Sequence, residues 1–109
     1  MYYVYVLVCR DGSLYTGMTN DLRRRMALHA AGKGAKYTRA HPPQALAGLW
    51  GCGGRTEAAR LEYAFKTLPR AKKLALLAAP EQTAEVFPAL AEYACEPVRN
   101  VILEELLNG

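Results

Sequence analysis

Residues 2–17 read Tyr2-Tyr3-Val4-Tyr5-Val6-Leu7-Val8-Cys9-Arg10-Asp11-Gly12-Ser13-Leu14-Tyr15-Thr16-Gly17. The first eight are β-branched, aromatic or otherwise apolar throughout. A short unbroken run of that kind predicts a central strand buried on both faces. Asp11-Gly12 supplies the positive φ of a tight hairpin turn. Leu14 to Met18 then returns as a second, antiparallel strand. With the turn at Asp11-Gly12, residues whose numbers sum to about 23 face each other, so Tyr5 and Tyr15 are diagonal neighbours on one face.

Downstream of the hairpin, Thr19-Asn20-Asp21 offers three candidate caps for a helix over about 21–31. Leu22, Met26 and His29 share one face of it with Arg25 beside them, while Arg23 and Arg24 fall off that stripe. Gly32 to Arg39 reads as a cationic loop. Residues 45–52 read as a third strand, and Gly53-Gly54 ends it. Thr56 is expected to cap a second helix reaching Thr67, and Pro69 to open a third over 70–78. Beyond Pro80, residues 81–95 and 98–107 read as helical, split by Pro97. The order β-β-α-β-α-α predicts an α+β fold. It would be a small three-stranded, mostly antiparallel sheet flanked by helices, with an extra C-terminal helical tail.

The chain has 109 residues, 51% of them apolar and 22% charged, the balance of a single soluble globular domain. No apolar run reaches the roughly 18 residues a membrane span needs, and no signal-peptide pattern precedes the first strand. Cys9, Cys52 and Cys95 are odd in number and widely spaced. That pattern argues against a disulfide framework and for a reduced, cytoplasmic setting. Charge divides unevenly. Residues 1–79 hold 13 of the 14 Lys and Arg against four acids, a local net of +9. Residues 80–109 set Arg99 against six Glu, a local net of −5, which leaves +4 overall. The expected organisation is a basic working domain over 1–79 and an acidic extension over 80–109, packed on it or used for association. A basic domain of this kind suits a phosphate-bearing partner.

The residues able to carry chemistry are Tyr5, Tyr15, Arg25, His29 and Glu62. Arg25 and His29 are one helical turn apart and can point the same way. Together the five supply a cation for a phosphate, a carboxylate for a metal, and hydroxyl or imidazole groups for proton transfer. Each also has an ordinary reading: packing tyrosines, a surface arginine, a core histidine, a solvated helix carboxylate. Spacing alone does not choose between the two.

The ordered set does carry a resemblance. Tyr3-Val4-Tyr5, then Tyr15-Thr16-Gly17, then a helix with Arg25 eight positions and His29 twelve positions after Gly17, resembles a GIY-YIG nuclease domain. Glu62 in Arg60-Leu61-Glu62-Tyr63-Ala64-Phe65-Lys66 matches that family's later-helix glutamate. The likeness spans roughly residues 1–77 and is strongest to the small stand-alone bacterial members. Tyr3 and Val4 stand where the family name has Gly and Ile, and Thr16 stands for the second Ile.

The resemblance implies a divalent-metal-dependent endonuclease that hydrolyses phosphodiesters in DNA, more than RNA, in DNA repair or processing. Structure- or single-strand-selective cutting would fit such a role. Glu62 would hold Mg²⁺ or Mn²⁺, Arg25 would bind a phosphate oxygen, and Tyr5, Tyr15 and His29 compete for the role of general base. A phenol titrates near 10, so Tyr5 as base needs a lowered pKa or a neighbour to take its proton. Gly17 is either a bulge glycine or a point of close approach beside the tyrosines. Lys33, Lys36, Arg39, Lys66, Arg70, Lys72 and Lys73 are candidate phosphate contacts, and Tyr37 could stack on an unpaired base. The same cations would also suit a non-catalytic nucleic-acid-binding module. The C-terminal helices could serve a homodimer or a protein partner.

Overall fold

The computed structural model describes residues 1–88 and 95–108. Strand β1 (Tyr2–Cys9) pairs antiparallel with β2 (Leu14–Thr19), placing Tyr5 opposite Gly17 and Leu7 opposite Tyr15. Gly12, at φ 85°, makes the turn that the Asp-Gly pair predicts. Helix α1 (Leu22–Ala30) follows, capped by the Asp21 carboxylate, which accepts from Arg24 N at 3.2 Å. Gly32 ends α1 with a left-handed φ of 75°, Gly32 N donating to His29 O and Lys33 N to Leu28 O. Helix α2 (Lys36–Ala40), strand β3 (Pro43–Cys52), and helices α3 (Arg55–Thr67) and α4 (Arg70–Ala78) complete the first 78 residues.

The alternation along β1 divides the core. Val4 and Val6 pack with Trp50, Leu61, Phe65 and Leu76 under α3 and α4. Tyr5 and Leu7 pack with Met26, Leu49 and Leu103 on the other face. The central strand expected from residues 2–9 is therefore buried from both sides. No helix among the described residues is long and apolar enough to cross a membrane.

Several expectations need correction. Among the described residues the sheet has four strands, in the order β2-β1-β3-β4, not three. Strand β4 (Cys95–Pro97) runs antiparallel along the outer edge of β3, from which Val98 N also reaches Leu49 O. Register sets Cys95 opposite Cys52, and the two form a disulfide that an odd cysteine count had argued against. Cys9 is the buried, free thiol.

The long tail helices are also revised. Residues 89–94 of the first expected helix lie outside the described residues. Its start is a 3₁₀ turn at Pro80–Gln82 and one short helix, α5 (Thr83–Val86). There Thr83 accepts a hydrogen bond from the buried Trp50 indole at 3.0 Å. Residues 98–102 are not helical, and α6 is shortened to Leu103–Asn108, docked on α1. Ala- and Leu-rich composition gives these segments helix propensity, but edge pairing and burial against the sheet outweigh it. Residues 36–40, read as loop, form α2. Helix α3 begins one residue before Thr56, with Gly54 at its N-cap position, so Thr56 is not the cap.

Candidate active site

Tyr5 lies in mid-β1, on the face covered by α1, and its ring crosses the backbone of Gly17 on β2. A Cβ on Gly17 would sit 2.5 Å from Tyr5 Oη, 2.6 Å from Cζ and 3.1 Å from Tyr15 Cε2. Gly17 does not have a positive φ. Of its two readings, the close approach is the observed one: glycine is required because two tyrosine rings occupy the space a side chain would fill.

Arg25 and His29 arrive from α1. His29 is 1% exposed, and its imidazole stands edge-on to both phenols, with centroids 5.5 Å from Tyr5 and 5.3 Å from Tyr15. Tyr5 Oη is 2.7 Å from His29 Nε2, and His29 Nδ1 is 2.7 Å from Thr38 Oγ1. Thr38 in turn reaches Ala35 O at 3.3 Å. A backbone carbonyl can only accept, which sets the direction of the whole chain. Thr38 donates to Ala35 O, His29 Nδ1–H donates to Thr38, and Nε2 accepts the Tyr5 proton. Burial, reinforced by the nearby Arg25 charge, lowers the His29 pKa to about 4. The imidazole is therefore neutral at pH 7, with its lone pair on the tyrosine.

Tyr5 itself moves the other way. Burial, followed by the neighbouring Tyr15, raises its pKa, and Arg25 opposes this without prevailing. Tyr15 is raised by burial and by Glu62. Arg25 by itself therefore does not lower the Tyr5 phenol. For the route by transfer to a neighbour, His29 is in place to accept the proton.

Glu62 comes from α3, packed against the opposite face of the sheet, beside β1 and the edge strand β2. Its charge still raises both phenols, so it belongs to the same electrostatic site. The carboxylate is partly buried, with Oε1 3.5 Å from Lys66 Nζ one turn later. Among the described residues, no three His, Cys, Asp or Glu side chains gather into a metal cage. One hard carboxylate oxygen with room for water fits Mg²⁺ or Mn²⁺, and it does not fit an ion that demands several nitrogen or sulfur ligands.

Two residues here were missed in the sequence. Thr38 is 1% exposed and fixes the His29 tautomer. Gly34 lies over the imidazole: a Cβ there would be 2.5 Å from His29 Nδ1, and its carbonyl accepts from Arg25 Nη1 at 3.1 Å. The Gly32-Lys33-Gly34 spacing was the available signal, within the stretch that the sequence presents as a cationic loop.

The candidate binding residues separate. Lys33, Lys36, Arg39, Lys66 and Lys72 are exposed. Arg70 donates to Gly12 O at 2.9 Å, tying α4 to the hairpin turn, and Lys73 lies 6.0 Å over the Phe65 ring. Tyr37 is exposed, with its ring stacked on Tyr15 at 5.9 Å and on His41 at 4.3 Å.

The His29 shift carries a stability consequence. Between its unfolded pKa near 6.5 and its folded value near 4, the unfolded chain binds the extra proton. Stability should therefore fall as pH drops from about 6.5 to about 4, by up to about 3 kcal/mol. Urea denaturation across that range, compared with His29→Gln, checks it: the variant should lose that part of the pH slope.

The GIY-YIG catalytic-domain family matches residues 1–75. The chain is 49% identical over 82 residues to a UPF0213 protein of Xanthomonas axonopodis pv. citri, covering 75% of this chain and 80% of that one. It is 53% identical over 72 residues to a UPF0213 protein of Halalkalibacterium halodurans, covering 66% and 77% respectively. The solution NMR structure of a UPF0213 protein from Bacillus halodurans matches with a TM-score of 0.50 and 45% identity, over 84% of this chain and 98% of that one. With the family match over residues 1–75 and these relatives, the chain belongs to the GIY-YIG family, among its small UPF0213 members.

Proposed function

We propose that the protein is a divalent-metal-dependent endonuclease hydrolysing phosphodiester bonds in DNA, with residues 1–79 as the working domain. The observation that carries this reading is the buried proton path Tyr5–His29–Thr38, set beside Arg25 and within the field of Glu62. A binding module has no need of a buried neutral histidine hydrogen-bonded to a tyrosine.

In this mechanism a water attacks phosphorus and gives its proton to Tyr5 Oη, while Tyr5 passes its own proton to His29 Nε2. The bond from phosphorus to the 3′ oxygen breaks. Arg25 spends one N–H on Gly34 O and keeps the rest of its fork for a non-bridging phosphate oxygen. The phosphate charge offsets Arg25, which otherwise opposes protonation of His29, so substrate itself readies the relay. Glu62 is the residue that would hold Mg²⁺ or Mn²⁺, which supplies Lewis acidity at the phosphate and the leaving oxygen. Tyr15 positions the water or the phosphate.

The test is an assay of purified protein on labelled single-stranded, duplex, flap and junction DNA, with and without Mg²⁺ or Mn²⁺. Metal-dependent internal cleavage is expected on at least one of them. Binding without cleavage on all four, with either metal, would leave the binding-module reading.

Arg25→Ala should lower the rate by roughly 10²–10³-fold, the usual effect of removing one group that stabilises developing charge. Arg23→Ala should stay within a few-fold in rate. Its Nη1 donates to Glu105 O and Leu106 O at 3.2 and 3.4 Å, so its loss loosens α6 and costs about 1 kcal/mol of stability instead. Equal rate losses in the two variants would mean that Arg25 is not the phosphate ligand.

Helix α2 joins the basic face to the site, since Thr38 holds His29 while Lys36 and Arg39 point to solvent from the same five residues. If both contact phosphates, Lys36→Ala/Arg39→Ala should flatten the log–log dependence of affinity on salt by roughly one to two units. A wild-type slope near zero would reject a phosphate-binding face altogether.

A further inference from the structure

Outside the catalytic set, a second histidine is held in an unusual way. His41 lies just past the C-terminal end of α2, and its Nδ1 is 2.6 Å from Oδ2 of Asp11, thirty residues away in the β1–β2 turn. Asp11 is itself fixed by Ser13, whose N and Oγ donate to its Oδ1 at 3.0 and 2.6 Å. Those bonds, with His41, lower the Asp11 pKa to about 2, so the carboxylate is ionised and can only accept. The His41 proton therefore sits on Nδ1, and Nε2 is the edge left over. Arg70 braces the same turn through Gly12 O.

One face of the His41 ring lies on Tyr37 at 4.3 Å and 21°, and Tyr37 in turn stacks on Tyr15 at 5.9 Å and 21°. Tyr15, Tyr37 and His41 thus form a file of rings that begins at the catalytic tyrosines and ends at His41. With one face on Tyr37 and one edge on Asp11, the His41 side chain is still 38% exposed.

We propose that the outer face of His41 is a stacking platform for an unpaired nucleobase of the substrate, outside the nucleotide that carries the scissile phosphate. The proposal rests on the nucleic-acid reading above and names the part of the substrate that this end of the site reads. Three ring-to-ring steps, Tyr5 to Tyr15 to Tyr37 to His41 at 6.3, 5.9 and 4.3 Å, place His41 too far from Tyr5 to share the reacting phosphate but at the end of a continuous file of rings that a short oligonucleotide can follow. A phosphate is the poorer ligand here, because it would meet the ionised Asp11 carboxylate beside the imidazole. A base face meets no such repulsion, and any base can stack. The platform would favour single-stranded or locally opened substrate, since a base paired in duplex cannot leave its own stack without cost.

The test compares two oligomers of equal length and charge in the Glu62→Ala background: a short single-stranded oligothymidine and its fully abasic counterpart. In the parent the base-bearing oligomer should bind roughly 5- to 100-fold more tightly. His41→Ala should bring that ratio near one while leaving abasic affinity and its salt dependence unchanged. His41→Phe, which cannot pair with Asp11 but keeps a ring, should preserve most of the ratio and shows that the site still folds. A ratio unchanged in His41→Ala would overturn the platform. So would an equal loss on both oligomers, which would mark a phosphate contact. Absence of binding to either oligomer by the parent would also overturn the platform, while the nucleic-acid reading falls separately, on absence of binding to the duplex, flap and junction substrates as well.

Discussion

Glu62→Ala is expected to abolish metal-dependent cleavage while leaving nucleic-acid affinity within a few-fold of wild type. The carboxylate is the hard oxygen donor whose charge both active-site phenols sense, and no acidic cluster among the described residues stands ready to replace it. Losing the ion removes several kcal/mol of stabilisation from developing charge, which corresponds to a rate loss of roughly 10³-fold or more. Binding should persist because the exposed cations of α2 and α4 are untouched. Lys66, relieved of its partner 3.5 Å away, becomes one more cation near the phosphate, so affinity for a short oligonucleotide should rise slightly if it moves at all. Glu62→Gln separates charge from shape and should be nearly as inactive. Wild-type rates in Glu62→Ala, with Mg²⁺ or Mn²⁺ present, would remove Glu62 from the site.

Gly17→Ala should damage both the stability and the activity of the domain. The new Cβ would lie 2.5 Å from Tyr5 Oη and 2.6 Å from Cζ, contacts real side chains do not make. Tyr5 cannot swing clear cheaply. It is 2% exposed, packed among Leu7, Met26 and Leu49, and hydrogen-bonded to His29. Overpacking of this sort costs about 1–3 kcal/mol of stability. The larger effect is on chemistry, because displacing the phenol by about 1 Å breaks the 2.7 Å contact on which proton transfer depends, and misplacement on that scale costs roughly 100-fold in rate. Thermal melting together with single-turnover cleavage distinguishes the two consequences. A folded Gly17→Ala protein with near wild-type activity would show that the Tyr5–His29 contact is dispensable.

Both effects trace to residues whose places were legible in the chain. Tyr5, Tyr15, Gly17, Arg25 and His29 lie within one hairpin and the helix after it, where period-two and period-3.6 spacing settle which face each side chain takes. The same locality explains the correct reading of β1, β2, α1, β3 and α4. Glu62 was found only through the family's spacing, since nothing local tells a site carboxylate from a solvated one on an amphipathic helix.

Tertiary structure decided the rest, wherever the partner of a residue is distant in sequence. The fourth strand exists because β3 offers Cys95–Pro97 an open edge, and that pairing makes the Cys52–Cys95 bridge across 43 residues. Helix α2 was read as loop because its support is Thr38 bonded to a histidine on another helix. The proton order through Tyr5, His29 and Thr38 depends on burial, which no spacing reveals. His41 stands before Pro42-Pro43 with no local signal of a site, and only the approach of the Asp11 turn makes it an oriented ring at the end of a stack. By itself the sequence determined the hairpin, the helix after it and the side chains they present, because strand and helix periods act over a few residues. Whether those side chains meet, in which protonation state, and what covers them was decided by contacts between distant segments, whose energies exist only once the chain has closed on itself.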